Sequence, residues 1–193
     1  MEPVLDWEQR YRESTTAWER DQLNPAFEQW QADFSEAPGR VILPGCGRAA
    51  EVIAFAQLGW QVTGIDLAET AIDYQRNALH EAGLEGELMA SNLFDWQPPC
   101  PADLVYEQTC LCALHPDQWP AYEQQLLRWL KPGGRLAALF MQAERDAQGP
   151  PFHCDLESMH AIFSADRWQW GDQFIRAEHP LGFYELGVLL TRL

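Results

Sequence analysis

Residues 40–66 constrain the fold more than any other stretch of the chain. Arg40-Val41-Ile42-Leu43 is a short apolar strand of the kind buried in parallel sheets, and Pro44-Gly45-Cys46-Gly47 is a tight turn. Val52, Phe55 and Ala56 stripe the helix that follows, and Gly59 closes it before the second strand, Gln61-Val62-Thr63-Gly64-Ile65-Asp66. A glycine turn at a strand's carboxyl end lets a ligand approach the backbone, and the next helix aims its N-terminal amides at the same place. An acid about 20 residues on can hold two ribose hydroxyls. The pattern predicts the nucleoside-binding first half of an α/β sheet. In the competing reading the turn is an ordinary βα connection and Asp66 only caps the helix beginning at Leu67. Ser or Asn would cap equally well, and the spacing would then be accidental.

With 193 residues, 47% of them hydrophobic and 12% aromatic, the chain can cover one core but not two, so a single domain over 1–193 is expected. A formal charge of −16 repels phosphates and argues against a nucleic-acid partner, leaving a small molecule as the expected substrate. Five irregularly spaced cysteines do not resemble a disulfide framework, and Met1-Glu2 opens no basic and then apolar leader, which points to the cytoplasm. No apolar run approaches the roughly 18 to 20 residues that a spanning helix needs.

Residues 1–37 read as an aromatic, partly helical N-terminal cap carrying Trp7, Tyr11, Trp18, Phe27, Trp30 and Phe34, with Pro25 as a first-turn residue. Residues 38–193 then alternate strands and helices. A helix with Ala71, Ile72, Gln75, Ala78 and Leu79 on one side stops at Gly83, and strands follow over 87–91 and 102–106. Pro116 opens a helix with Trp119, Tyr122, Leu126, Leu127 and Leu130 inward, and Lys131-Pro132-Gly133-Gly134 stops it before a strand over 135–141. Residues 142–152 are a polar loop, followed by a helix over 156–163 and strands over 168–175 and 184–191. The economical architecture is α/β: a Rossmann-like, doubly wound, seven-stranded, mostly parallel sheet with an antiparallel last strand.

Ala49 and Ala50 interrupt the glycine spacing usual for NAD, though small residues still allow close helix packing. Asn92, after the third strand, has an amide able to pair with an adenine edge; a plain turn residue is the competing reading. Lys131-Pro132-Gly133-Gly134 alone is structural punctuation. Taken with the glycine turn and Asp66, in that order, it resembles the class I S-adenosylmethionine-dependent methyltransferases. Within that class, Trp7, Tyr11 and Trp18, Pro44-Gly45-Cys46-Gly47-Arg48, Cys112-Ala113-Leu114-His115-Pro116 and Gly149-Pro150-Pro151-Phe152 resemble the thiopurine methyltransferase family. That family includes thiol, halide and metalloid methyltransferases.

The resemblance implies that Trp7, Tyr11 and Trp18 cover S-adenosylmethionine, that Gly45 lies against its methionine part and Asp66 holds its ribose, and that Asn92 and the backbone of Leu93 frame its adenine. The family usually has an acid at the position of Asn92 and a Tyr or Arg near the cofactor at the position of Gln108. Aromatic faces over a sulfonium also make sense by themselves, since a ring attracts a cation by about 0.5 to 2 kcal/mol. Phe152 and His153, closing the Pro-Pro loop, are candidate substrate contacts; a solvated loop histidine is the competing reading for His153. Cys110, Cys112 and His115 lack a second ligand pair at finger-like spacing, so no metal is expected. The expected activity is methyl transfer to a small soft nucleophile, a thiol, halide or metalloid anion, by in-line displacement with no assigned catalytic residue. The alternatives are a nicotinamide-dependent oxidoreductase and a cofactor-binding protein without transfer activity.

Overall fold

The computed structural model describes residues 5–145 and 149–193. Its strands are β1 (Arg40–Pro44), β2 (Gln61–Asp66), β3 (Glu87–Ala90), β4 (Ala102–Gln108), β5 (Leu130–Gln142), β6 (Trp168–Trp170), β7 (Ile175–Glu178) and β8 (Tyr184–Arg192). They form one sheet in the order β3-β2-β1-β4-β5-β8-β6, with β7 also paired to β8. Neighbours among β1 to β5 run parallel, and β8 runs antiparallel to β5, β6 and β7. The chain winds outward from β1 to β3 and then returns to the other side of β1 at β4. That reversal opens a crevice at the carboxyl ends of β1 and β4, where ligands of open α/β sheets bind.

The sheet has eight strands rather than the seven expected, because the strand predicted over 168–175 is broken. Gly171 donates its N–H to the Leu189 carbonyl at 2.8 Å, and a Cβ at Gly171 would crowd that same oxygen. Trp170 lies opposite Leu190 and Ile175 opposite Gly187, so residues 171–174 leave the ladder and divide one edge strand into β6 and β7. A second departure lies at Lys131-Pro132-Gly133-Gly134. Leu130 pairs with Ala102 as the first residue of β5, Arg135 pairs with Leu104, and the four residues between bulge from the ladder, with Gly133 at φ +74°.

Helices cover both faces: α1 (Trp7–Arg12), α2 (Pro25–Glu36), α3 (Glu51–Gln57), α4 (Glu69–Glu81), α5 (Trp119–Trp129) and α6 (Leu156–Ile162). Alternation along the strands explains why two faces are needed. Val41 and Leu43 join the cluster under α2, α3 and α4, whereas Ile42 between them joins the cluster under α5 and α6. Pro25 opens α2 and Asn24 caps it, accepting the Ala26 N–H at 2.9 Å. The helix thereby directs Phe27, Trp30 and Phe34 into the core, where Phe27 meets Phe55 and Tyr106 edge to face. Truncating one such buried ring to Ala typically costs about 3 to 5 kcal/mol. α2 is therefore a layer of the sheet, and α1 with the segment up to residue 20 lies over the carboxyl edge. Among the described residues no helix is long and apolar enough to cross a membrane.

Candidate active site

The carboxyl edge holds a cavity of about 480 Å³. Its floor is Gly45 after β1, Asp66 at the end of β2, Ser91 and Leu93 after β3, and Thr109 and Cys110 after β4. Trp7, Tyr11 and Trp18 form its roof, and Met141, Arg145, Pro150, Pro151, His179, Leu181 and Phe183 extend it toward the other end of the sheet.

The glycine turn is held from three sides. Gly45 and Gly47 take φ +56° and +47°, which L side chains rarely adopt. Cys46 donates its N–H to the Ile65 carbonyl at 3.0 Å, and the Gln75 amide on α4 donates to the carbonyls of Gly47 and Ala49. Asp66 accepts the Gly47 N–H at 2.8 Å through Oδ2 and the Ala68 N–H at 2.9 Å through Oδ1. It thus caps its own turn and faces the cavity as well. Each carboxylate oxygen keeps a lone pair for a ligand hydroxyl. Burial raises its pKa against the opposing pull of these N–H groups.

The roof is anchored to the floor. Asp6 caps α1, and Glu8 accepts the N–H and hydroxyl of Thr70, serving the first turn of α4 from outside that helix. Trp18 stands edge-on to both Trp7 and Tyr11, with ring centroids at 5.5 and 5.9 Å. Arg48 lies over the Tyr11 ring and forms an ion pair with Glu19 at 2.8 Å.

At the end of β4, Thr109 adopts φ +57°, a strained value for a β-branched residue. The fully buried Glu107 holds this corner by accepting the N–H groups of Cys110 and Leu111. Burial pushes its pKa up to about 8, so it carries its proton at neutral pH. Burial also raises the thiols of Cys110 and Cys112, which line the cavity and stay un-ionised.

Comparison with known proteins gives the family of the chain. The family described as Thiopurine S-methyltransferase (TPMT) matches residues 4–173. The chain belongs to the thiopurine S-methyltransferase family. A protein of Arabidopsis thaliana named probable thiol methyltransferase 2 is 27% identical over 191 residues, which is 97% of this chain and 77% of that protein. A thiocyanate methyltransferase 1 of Arabidopsis thaliana is 28% identical over 160 residues, covering 81% of this chain and 70% of the relative. Burkholderia thailandensis 1,6-didemethyltoxoflavin-N1-methyltransferase, solved with 1,6-didemethyltoxoflavin and S-adenosylhomocysteine bound, shares the fold with a TM-score of 0.78 at 19% identity. It covers 95% of this chain and 84% of its own. This thiopurine S-methyltransferase family member is a methyltransferase that uses S-adenosylmethionine. The residues present suit that group: a half-open, mostly apolar cavity runs from the glycine turn past a carboxylate with spare lone pairs and under aromatic rings.

Of the sequence-predicted positions in this methyltransferase, Trp7, Tyr11, Trp18, Gly45, Asp66 and Leu93 come together around the one cavity. Asn92 does not line it; its side chain is exposed and accepts the Phe94 N–H at 3.0 Å as a turn residue, and the neighbouring Ser91 faces the cavity instead. Gln108 lines an adjoining recess that shares Tyr11, Trp18, Gly45 and Thr109 with the cavity, and it accepts the Tyr106 hydroxyl. Phe152 packs against the core, and His153 accepts the Ala143 N–H through Nδ1; Pro150 and Pro151, just before them, reach the cavity. Residues 146–148 of the predicted 142–152 loop fall outside the described residues. Sequence reasoning passed over Arg10, Arg145 and His179. The His179-Pro180-Leu181-Gly182 turn between two strands was the available signal.

Proposed function

We propose that this methyltransferase acts on a small soft nucleophile, a thiol, halide or metalloid anion, and that the cavity at the carboxyl edge holds donor and acceptor together. One observation carries the reading: the cavity from Gly45 to Phe183 is mostly apolar, and the carboxylate and imidazole that line it, Asp66 and His179, already accept backbone N–H groups. Glu107 holds its proton and is turned to backbone N–H groups, and His153 faces the Ala143 amide. An acceptor that is already an anion, or a thiol that ionises readily, needs no base. Arg10 and Arg145, exposed at the cavity's rim in a chain of net charge −16, add local attraction for an anion. The relatives' names, thiol and thiocyanate methyltransferase, support the same class.

When bound, S-adenosylmethionine supplies an electrophilic methyl carbon and a neutral leaving group. In our reading Asp66 receives the ribose hydroxyls, Leu93 and Ser91 flank the adenine, and Trp7, Tyr11 and Trp18 exclude water and face the sulfonium. Holding two reactants in near-attack geometry contributes up to roughly 7 to 11 kcal/mol in favourable cases. The whole chain acts as one methyltransferase domain, on small molecules rather than nucleic acid, in the cytoplasm; the acidic charge supports the second point and the five unpaired thiols the third.

The test is incubation with S-adenosylmethionine and a panel of thiols, iodide, thiocyanate, selenite and tellurite, with headspace analysis for volatile methyl products. Product from at least one is expected. Stabilisation by S-adenosylhomocysteine with no product from any of them would overturn the soft-acceptor assignment.

A further inference from the structure

The β7–β8 hairpin brings one polar ring to the cavity whose hydrogen bonding is incomplete. His179 follows β7, which runs parallel to β1 and β4, so the hairpin reaches the same sheet edge as Gly45 and Asp66. The side chain is 5% exposed. Its Nδ1 accepts the Leu181 N–H at 3.2 Å, while its own backbone N–H donates to the Phe183 carbonyl and its carbonyl accepts from Gly182. With Nδ1 used as an acceptor, the ring proton sits on Nε2, and Nε2 is buried without a partner. Three bonds of a tight turn therefore orient a donor that nothing in the described protein receives. A buried donor left unsatisfied is costly. Nearby, Arg20 forms an ion pair with the fully buried Glu185 at 3.0 Å; burial and Arg20 together hold the imidazole's pKa down at about 4. The ring is thus a neutral donor, not a base: its one basic nitrogen is already engaged.

We infer that His179 holds the methyl acceptor, donating a hydrogen bond from Nε2 to the lone pair of a small anion within the cavity. This inference rests on the proposed transfer to a soft nucleophile and assigns that acceptor's anchor. Arg145, stacked over Phe183 of the same hairpin at 5.6 Å, adds positive charge on the same side. A neutral donor suits such an anion, because it orients the nucleophile without the strong ion pair that would quench its reactivity.

The experiment pairs His179→Leu, which removes the donor, with His179→Gln, whose amide nitrogen reaches the position of Nε2. Both are assayed with thiocyanate and iodide, and S-adenosylhomocysteine affinity is measured by calorimetry. His179→Leu is expected to raise the acceptor KM about 10- to 100-fold, the loss typical of a hydrogen bond to a charged group. Cofactor affinity should hold within about twofold, and His179→Gln should restore most of the loss. An unchanged acceptor KM in His179→Leu, or equal impairment in both variants, would overturn the assignment. Should His179→Leu fail to fold, ¹⁵N spectra of the wild-type S-adenosylhomocysteine complex titrated with thiocyanate decide: a shifted His179 Nε2–H resonance supports the contact, and an unmoved one at saturation overturns it. Failure of the underlying function reads differently, since wild-type protein would then yield no methylated product from any soft acceptor, and both proposals would fall.

Discussion

The Tyr11 hydroxyl occupies the space that a side chain at Gly47 would need. The roof over the cavity therefore closes against bare backbone, and α1 and the turn after β1 are shaped to each other.

Gly47→Ala should lose on both counts. The residue sits at φ +47°, where a Cβ costs about 1 to 2 kcal/mol, and the new methyl displaces Tyr11. Denaturant unfolding should show that loss of stability, and calorimetry a weakened S-adenosylhomocysteine. Adding Tyr11→Phe should recover part of the affinity and none of the backbone strain, giving a non-additive double-mutant cycle. Additive effects would mean that the two residues are not coupled.

Asp66→Asn should weaken cofactor binding roughly 10- to 100-fold, the range for hydrogen bonds to a charged group. Two backbone N–H groups, of Gly47 and Ala68, both point at this carboxylate, and an amide can accept from only one of them. The thermal midpoint should therefore fall even without ligand, which a ribose-only role would not produce.

Glu8→Ala should loosen the roof without touching the floor. It removes the acceptor for the Thr70 N–H and hydroxyl, a capping loss of about 1 kcal/mol. Limited proteolysis should cut the N-terminal segment faster than in the wild type. Bound S-adenosylhomocysteine should protect both, and wild-type cleavage indifferent to cofactor would count against α1 as a cover.

Glu107 makes stability depend on pH in a definite direction. Its folded pKa, about 8, lies above the ordinary 4.5, so the folded chain binds the proton more tightly. The stability this contributes is complete below about pH 4.5 and lost as pH rises through about 8. Glu185, pushed up to about 7, acts in the same sense. His179, held down at about 4, acts oppositely but only below its ordinary 6.5. Between about pH 6.5 and 8 the wild-type melting temperature should fall, and in Glu107→Gln it should fall less. Equal slopes would show that the carboxyl is already ionised in the native protein.

Thiol labelling reports burial directly. Of the five cysteines only Cys100 is exposed, so native protein should react rapidly at one thiol and at all five after unfolding.

The first βαβ unit was legible because its signals are local: an apolar run, a turn that needs glycine, a striped helix and an acid at the right distance. Pro25 with Phe27, Trp30 and Phe34 announced α2 through helical spacing, although not that the helix belongs to the core, which depends on what Phe55 and Tyr106 do far along the chain. Asn92 and Ser91 show the limit of motif transfer. They are adjacent, and which one faces the cavity is set by the path of the chain as it leaves Ala90. The division of the last edge strand depends on Gly171 meeting the Leu189 carbonyl, a tertiary contact with no sequence period. His179 escaped notice for the same reason: β7 has four residues, too few for alternation to stand out.

That division has a consequence for how such a protein can change. β7 is fastened to the rest of the sheet through β8 alone, whereas the strands carrying Gly45 and Asp66 lie inside the sheet with neighbours on both sides. Mutation can therefore retune the peripheral hairpin, and with it the stretch of cavity lined by His179, Leu181 and Phe183, while the glycine turn and Asp66 stay held by their neighbours.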